Sequence, residues 1–284
     1  MQKILNQAEI DRYQADGVYF PVKAMTRDEA GDLLARFTDL QERYGAKMAR
    51  NNNQMHNSHM LVTWLADLVR HPKILDAVED ILGPDILCWN TQFFAKKPHD
   101  PRFVSWHQDS TYYGMSTNEV MTVWLALTPS VVENGCLRVV PGSHKTQVPH
   151  IDTFDENNFL TRGQEIAVEV NEDDVLNVEL QPGEASIHNV RLFHGSEPNN
   201  ADFPRVGFAI RYIPTHAYQT TGLPDSATLV RGEDKHGNFV LAPPPESDFH
   251  PDAMARHAAA VDMQLQILYA GAAEAGKRAA ASAQ

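Results

Sequence analysis

The stretch Phe103-Val104-Ser105-Trp106-His107-Gln108-Asp109 alternates its side chains with the period of a half-buried strand. In such a strand residues i and i+2 point to one side. His107 and Asp109 therefore present an imidazole and a carboxylate to the same face, while Gln108 turns away. Further on, Leu192-Phe193-His194-Gly195-Ser196 supplies a second imidazole, 85 positions after Asp109. Two imidazoles and one carboxylate can form the facial triad that holds non-haem Fe(II) and leaves coordination positions open. His-x-Asp alone is a weak signal, because such tripeptides arise by chance. The neighbouring pattern gives it weight.

Outward from this stretch, Ile86–Phe94, Phe103–Asp109, Val120–Leu127, Leu137–Val140, Glu165–Val170, Asp174–Leu180, Glu184–His188 and Val206–Ile213 read as short strands. Asn134-Gly135 and Pro182-Gly183 mark tight connections. Many short strands of this kind predict a mainly β fold with flanking helices: two facing sheets in a double-stranded β-helix, a cupin-like jelly roll. Before them the pattern is helical. Asn6 can cap a helix that stops at Gly17, Thr26-Arg27-Asp28-Glu29 is a capping box for a helix reaching about Tyr44, and a third helix spans Ile74 to Leu82. The segment 51–59 (Asn-Asn-Asn-Gln-Met-His-Asn-Ser-His) is polar and unperiodic, either a solvated loop or a lid that contacts substrate. After Pro214 comes an irregular region with Pro243-Pro244-Pro245, then a helix from about Asp252 to Ala270 and an Ala-rich tail expected to fray. The expected organisation is one domain over 1–284: a helical segment 1–85, a jelly-roll core 86–214, and 215–284 irregular with a final helix.

Arg205 stands eleven residues after His194, at the head of the apolar strand that follows. Its planar fork suits a carboxylate. Iron plus a carboxylate-gripping arginine is what a 2-oxoacid co-substrate requires. Here the sequence resembles the phytanoyl-CoA dioxygenase family of Fe(II)/2-oxoglutarate-dependent oxygenases. The matching residues are Trp106-His107-Gln108-Asp109, Trp124-Leu125-Ala126-Leu127, Glu133-Asn134-Gly135-Cys136-Leu137, Pro141-Gly142-Ser143-His144, His194-Gly195-Ser196 and Arg205, in the family's order. The resemblance implies a dioxygenase in which His107, Asp109 and His194 ligate Fe(II) and 2-oxoglutarate takes two further positions. Arg205 grips its far carboxylate, the Ser196 hydroxyl reaches the same group, and Trp124 lies beside the co-substrate, with Gln92 a weaker assignment to that pocket. O2 then drives release of succinate and CO2 and hydroxylation of an unactivated C–H. Family members that halogenate have a small residue in place of the carboxylate, so Asp109 implies hydroxylation.

Composition agrees with a soluble enzyme of 284 residues that can bury a substantial core. No apolar run approaches a membrane span and no signal peptide is read at the start, so the expected address is the cytoplasm. Cys88 and Cys136 sit in apolar segments and read as buried thiols. The net charge of -13 argues against nucleic acid and anionic membrane as partners and leaves a small-molecule substrate open. It says nothing of oligomeric state.

Each site residue has a rival reading. The chain has 13 histidines, and a lone one is more often structural than a ligand. His188 is the main rival to His194, and the Gly-Ser after His194 together with the family spacing favours His194. His144 reads as a turn residue, and Trp89 and Trp106 as core. Arg211 shares a face with Arg205 and can instead meet the substrate. Asn57, His59, Tyr112 and Tyr113 offer polar and aromatic edges near the expected opening, and tyrosines there can surround a quaternary ammonium. Lys96, Lys97, Arg102, Arg138 and Arg191 either decorate strand ends or attract an anionic substrate such as an aminophosphonate. The mixture favours a small polar metabolite over a long acyl chain. Two other classes use the same residues: a metal-dependent hydrolase built on Zn(II) at the triad, and a non-catalytic cupin-like binding module.

Overall fold

The computed structural model describes residues 2–48 and 55–282, with side chains described over 2–44 and 55–270. Positions 51–54 of the polar segment and 283–284 of the tail lie outside the described residues. The elements run α1 (Gln7–Asp16), β1 (Val18–Lys23), α2 (Arg27–Met48), α3 (Thr63–Leu68), α4 (Pro72–Leu82), β2 (Ile86–Lys96), β3 (Val104–His107), α5 (Ser110–Tyr113), β4 (Met121–Ala126), β5 (Leu137–Val140), β6 (His150–Asp152), β7 (Gln164–Ile166), β8 (Leu176–Val178), β9 (Glu184–Asn189), β10 (Phe193–Ser196), β11 (Arg205–Pro214), β12 (Ser226–Arg231), β13 (Val240–Leu241) and α6 (Pro251–Ser282).

Local chemistry sets the helix ends. The Asn6 side chain accepts from the Glu9 N–H at 3.1 Å, and the Glu9 carboxylate accepts from the Asn6 N–H at 2.8 Å. Gly17 in the left-handed region then ends α1. Thr26 and Glu29 repeat the reciprocal cap at the start of α2, which runs four residues past Tyr44. Pro72 opens α4 and Gly83 follows its last turn. Helix α6 continues to Ser282 through the tail expected to fray.

The fold is a jelly roll of two facing sheets. The larger has the strand order β1-β9-β4-β11-β2-β12-β13 and the smaller β3-β10-β5-β8, with β6 and β7 as a separate hairpin. All ten residues of β11 are buried, because the sheet is covered on both faces. Phe208, Ile210 and Tyr212 pack towards α3 and α4 with Leu65, Ile74 and Val78. Ala209 packs the other way with Trp124, Leu137 and Val139, between the sheets. Burial of each such Val, Leu, Ile or Phe contributes about 1.5–3 kcal/mol.

Several strands depart from expectation. The amino-terminal stretch, read as helical, supplies β1, which pairs with β9 at the sheet edge. The region after Pro214 supplies β12, paired with β2. Strands β6, β10 and β13 are not expected from the sequence, since each is two to four residues long and too short to show alternation. Conversely, the expected strands at 165–170 and 174–180 shrink to β7 and β8, the latter preceded by a 3-10 turn at Glu172–Asp174. One irregularity bears on the site. Arg211 pairs with Asn90 and Tyr212 with Cys88, so β2 carries Trp89 as an extra residue. The bulge turns both Trp89 and Asn90 to the inner face. Among the described residues no helix is long and apolar enough to cross a membrane.

Candidate active site

Strands β3 and β10 pair so that His107 and His194 are direct cross-strand partners. Their rings lie 4.0 Å apart between centroids. The chain leaves β3 at His107, and Asp109 adopts helical φ/ψ at the mouth of one-turn α5. The carboxylate thus joins the imidazoles from a strand-to-helix corner, and the i, i+2 strand argument does not describe it. The corner is held by Gln108, which is fully buried. Its side-chain amide donates to the carbonyls of Thr146 and Arg191 at 2.8 and 2.6 Å, and accepts from the Val148 N–H at 3.0 Å.

One ligand atom from each of His107, Asp109 and His194 lies within 4.8 Å of the other two, and all three residues are buried. His107 Nδ1 donates to the Ser105 carbonyl and His194 Nδ1 to the Leu192 carbonyl, each at 2.9 Å. A carbonyl can only accept, so both Nδ1 atoms carry protons and both Nε2 lone pairs are left for a metal. Burial and the neighbouring His107 push the His194 pKa well below the imidazole range, which keeps the ring neutral as a ligand must be. Burial alone would raise the Asp109 pKa, but the Arg211 guanidinium opposite it holds the carboxyl well below the usual range. Asp109 Oδ2 has no hydrogen-bond partner. The donor set and that orphaned oxygen fit a divalent cation.

A cavity of about 170 Å³ opens from the triad between the sheets. At one end lie Ser196, Arg205, Trp124, Gln92, Phe94 and Leu137. Ser196 stands two residues, about 6.6 Å, along β10 from His194. Arg205 Nη1 donates to the Gly135 carbonyl, its Nε has no partner, and its guanidinium lies 5.4 Å from the Trp124 ring centre. The Asn134-Gly135 turn delivers that carbonyl. Gly135 has φ +71°, and a β-carbon there would collide with the Glu197 carbonyl. Burial lowers the Arg205 pKa to about 10, which still leaves it charged at neutral pH. Beside it, Lys96 is fully buried as the cross-strand partner of Arg205 and donates to Ser196 Oγ at 2.8 Å and to the Glu197 carbonyl. It is not strand-end decoration.

Trp124 lies flat over Gly207, where a β-carbon would fall inside the indole ring's van der Waals surface. Gly207→Ala is therefore expected to displace Trp124, at a cost of roughly 1–3 kcal/mol in stability. Denaturant unfolding of the variant checks this, and an unchanged midpoint would remove the tight-contact argument.

The opposite end holds Trp89, Asn90, Tyr112, Tyr113, His188 and Arg211, with His56 and the Val261–Leu268 face of α6 closing over them. Of the residues singled out for substrate, Tyr112, Tyr113 and Arg211 line the cavity, while Asn57 and His59 do not. His59 instead bonds Thr91 Oγ1 at 2.9 Å and faces Cys88 on the helical side of the sheet. Asn57 clamps the Thr91 N–H at 3.1 Å and Gln264 at 2.8 Å. His188 lies on β9, in the other sheet from His194, with its ring 4.9 Å away. Trp89, read as core, lines the cavity because of the β2 bulge. Lys97 is exposed, Arg102 is paired with Asp100, and Arg138 with Glu172 and Glu197, so these cations point away from the cavity. The contribution of α6 was not read from the sequence, although Val261, Gln264, Leu265 and Leu268 have the spacing of one helical face.

The family model for phytanoyl-CoA dioxygenase (PhyH) matches residues 5–207. The chain belongs to the phytanoyl-CoA dioxygenase family. Within it, a "Probable alpha-ketoglutarate-dependent hypophosphite dioxygenase" from Stutzerimonas stutzeri is 28% identical over 60% of this chain and 59% of its own length. An ectoine dioxygenase from Nocardia farcinica is 26% identical over 72% of this chain and 70% of its own. Among solved structures, the apo form of the non-heme monooxygenase ThoJ superposes with a TM-score of 0.84 at 34% identity, covering 93% of this chain and 99% of that one. Phytanoyl-CoA dioxygenase family membership places the chain in the Fe(II)/2-oxoglutarate-dependent class, with Fe(II), 2-oxoglutarate and O2 as its cofactor and co-substrates.

Proposed function

We propose that this protein is an Fe(II)/2-oxoglutarate-dependent dioxygenase that hydroxylates an unactivated C–H of a small polar metabolite and releases succinate and CO2. The observation that carries the reading is that the buried His107–Asp109–His194 cluster opens onto the same cavity as Arg205 and Ser196. His107 and His194, through Nε2, and Asp109 hold the metal. Arg205 and Ser196 bind the far carboxylate of 2-oxoglutarate, with Trp124 and Gln92 along its flank. Bound Fe(II) supplies activation of O2 coupled to decarboxylation of the keto acid. The protein's part is to orient both substrates and to exclude water, for which the closed end under α6 serves. The relatives named for hypophosphite and ectoine support a small polar substrate. We read residues 1–284 as one oxygenase domain, since β1 and β12 complete the sheet and α6 closes the cavity. We assign it to the cytoplasm, where Cys88 and Cys136, both buried and free, stay reduced. No nucleic acid or membrane partner enters this reading.

The first test is the visible spectrum of metal-free protein given Fe(II) and 2-oxoglutarate without oxygen. A charge-transfer band that succinate cannot elicit supports the reading. Bound iron without a band turns it towards the Zn(II) hydrolase or the binding module, neither of which has a use for Arg205.

Lys96 provides a second test. Burial, then the adjacent Arg205, lowers its pKa to about 6, far below the ordinary lysine value near 10.4. At pH 7.5 the free protein therefore holds Lys96 neutral. An incoming carboxylate at Ser196 raises that pKa again, so binding of 2-oxoglutarate is expected to take up close to one proton. Calorimetry in two buffers of different ionisation enthalpy measures it, and Lys96→Met should abolish the uptake. The same depressed value makes the stability of the free protein rise with pH between about 6 and 10, because over that window the unfolded chain holds the extra proton. In Lys96→Met this rise is expected to disappear.

A further inference from the structure

We propose that the substrate carries an anionic head group and that Arg211 is the residue that selects it; this deepens the oxygenase reading above and rests on it. Strand register sets a polar row across the floor of the cavity. Asn90 on β2 pairs with Arg211 on β11, Arg211 with Thr122 on β4, and Thr122 with His188 on β9. All four line the cavity, at the end away from Arg205. Arg205 and Arg211 are six residues, about 20 Å of strand, apart, so one co-substrate carboxylate does not engage both.

Arg211 is only 7% exposed, and its Nε has no hydrogen-bond partner. Nη1 donates to Asn90 Oδ1 at 2.9 Å, and Nε lies 3.8 Å from Asp109 Oδ2, an ion-pair distance beyond hydrogen-bond length. Among the described residues that line the cavity, Asp109 is the one carboxylate, and Arg205 and Arg211 are the guanidinium cations. Once Fe(II) is bound, the charges of Asp109 and of the 2-oxoglutarate dianion are offset by the metal and Arg205, and Lys96 beside Ser196 adds a further positive charge. Arg211 is then a buried cation whose one neighbouring carboxylate, Asp109, is shared with the metal. Such a group is costly unless something pairs with it, and the remaining space beside it is the substrate's.

The tyrosines argue the same way. An ammonium group would need free aromatic faces. The Tyr113 ring already has the Arg211 guanidinium 5.5 Å from its centre, and the Tyr112 ring has that of Arg162 at 5.2 Å. A cationic substrate would meet Arg211 at the Tyr113 face and find the Tyr112 face already taken by Arg162, which is itself paired with Asp152. An anionic one would find Arg211 and, beside it, His188, whose Nδ1 has no partner.

The test uses the anaerobic Fe(II)/2-oxoglutarate complex with three probes of one size: butyrate, 1-butanol and butylammonium. Calorimetry reads affinity, and the visible band reports that 2-oxoglutarate stays bound. Butyrate is expected to bind at least about tenfold more tightly than the other two and to shift the band without bleaching it. Arg211→Gln should lose that preference while still forming the band, and Arg211→Lys should keep part of it. Equal affinity for all three probes, a preference for butylammonium, or no response to butyrate in protein that forms the band overturns the proposal. So does an Arg211→Gln variant that retains the preference. If Arg211→Gln does not fold, Arg211→Lys and the wild-type ranking decide. Failure of the band itself counts against the oxygenase reading instead.

Discussion

Asp109→Ala is expected to reduce succinate formation to background. The argument starts from where Asp109 sits. Its Oδ1 is 3.4 Å from His107 Nε2, and its Oδ2 is buried without a hydrogen bond. It is the only anionic member of the cluster, and two imidazoles alone hold a divalent ion weakly. Arg211 makes the loss worse than deletion of a ligand. With the carboxylate gone, a guanidinium that faced it at 3.8 Å faces the metal position directly and repels a cation. Iron stoichiometry after desalting and coupled succinate detection measure the two consequences separately. Asp109→Asn, which keeps the shape without the charge, should be nearly as inactive. Since truncating one partner of a buried ion pair costs about 3–5 kcal/mol, both variants should also melt earlier than the parent, unlike a variant that merely loses an exposed ligand. Full turnover in either one would remove the metal assignment.

How much of this could be read from the chain depends on length scale. The long strands β2, β4 and β11 and the capped helices α1, α2 and α4 were legible, because apolar period and reciprocal caps are local signals that the packing agrees with. The triad was legible as residue types and spacing, yet for a partly mistaken reason. His107 and Asp109 do not share a strand face; Gln108 pins a corner that brings the carboxylate round. What was hidden was set by tertiary contact. Lys96 looks like a strand-end lysine, and only the register opposite Arg205 shows it buried beneath Ser196. Trp89 follows the parity of a regular strand until one bulge reverses it. Asn57 and His59 belong to the same polar segment as His56, but a left-handed turn at Asn57 sends His59 behind the sheet while His56 lines the cavity. No periodicity encodes such a choice.

Arg205→Ala is expected to weaken 2-oxoglutarate binding by about two orders of magnitude, the range for truncating a buried, hydrogen-bonded charge partner. Arg205 is held from three sides: by the Gly135 carbonyl at Nη1, by the Trp124 ring 5.4 Å away, and by its place on a strand buried on both faces. Its fork is therefore fixed before the ligand arrives, and little ordering entropy opposes binding. Lys96 does not substitute, because its Nζ is already tied to Ser196 Oγ and the Glu197 carbonyl and has no planar fork to offer a carboxylate. Arg205→Lys restores a charge without the planar fork and should recover only part of the affinity. The kinetic signature separates this role from a catalytic one. The KM for 2-oxoglutarate rises steeply while kcat at saturation changes little, as expected for lost ground-state binding. A misfolded variant would instead lose kcat and its thermal midpoint together. An unchanged KM would show that the far carboxylate lies elsewhere, and with it would fall the division of the cavity into a co-substrate end at Arg205 and a substrate end at Arg211.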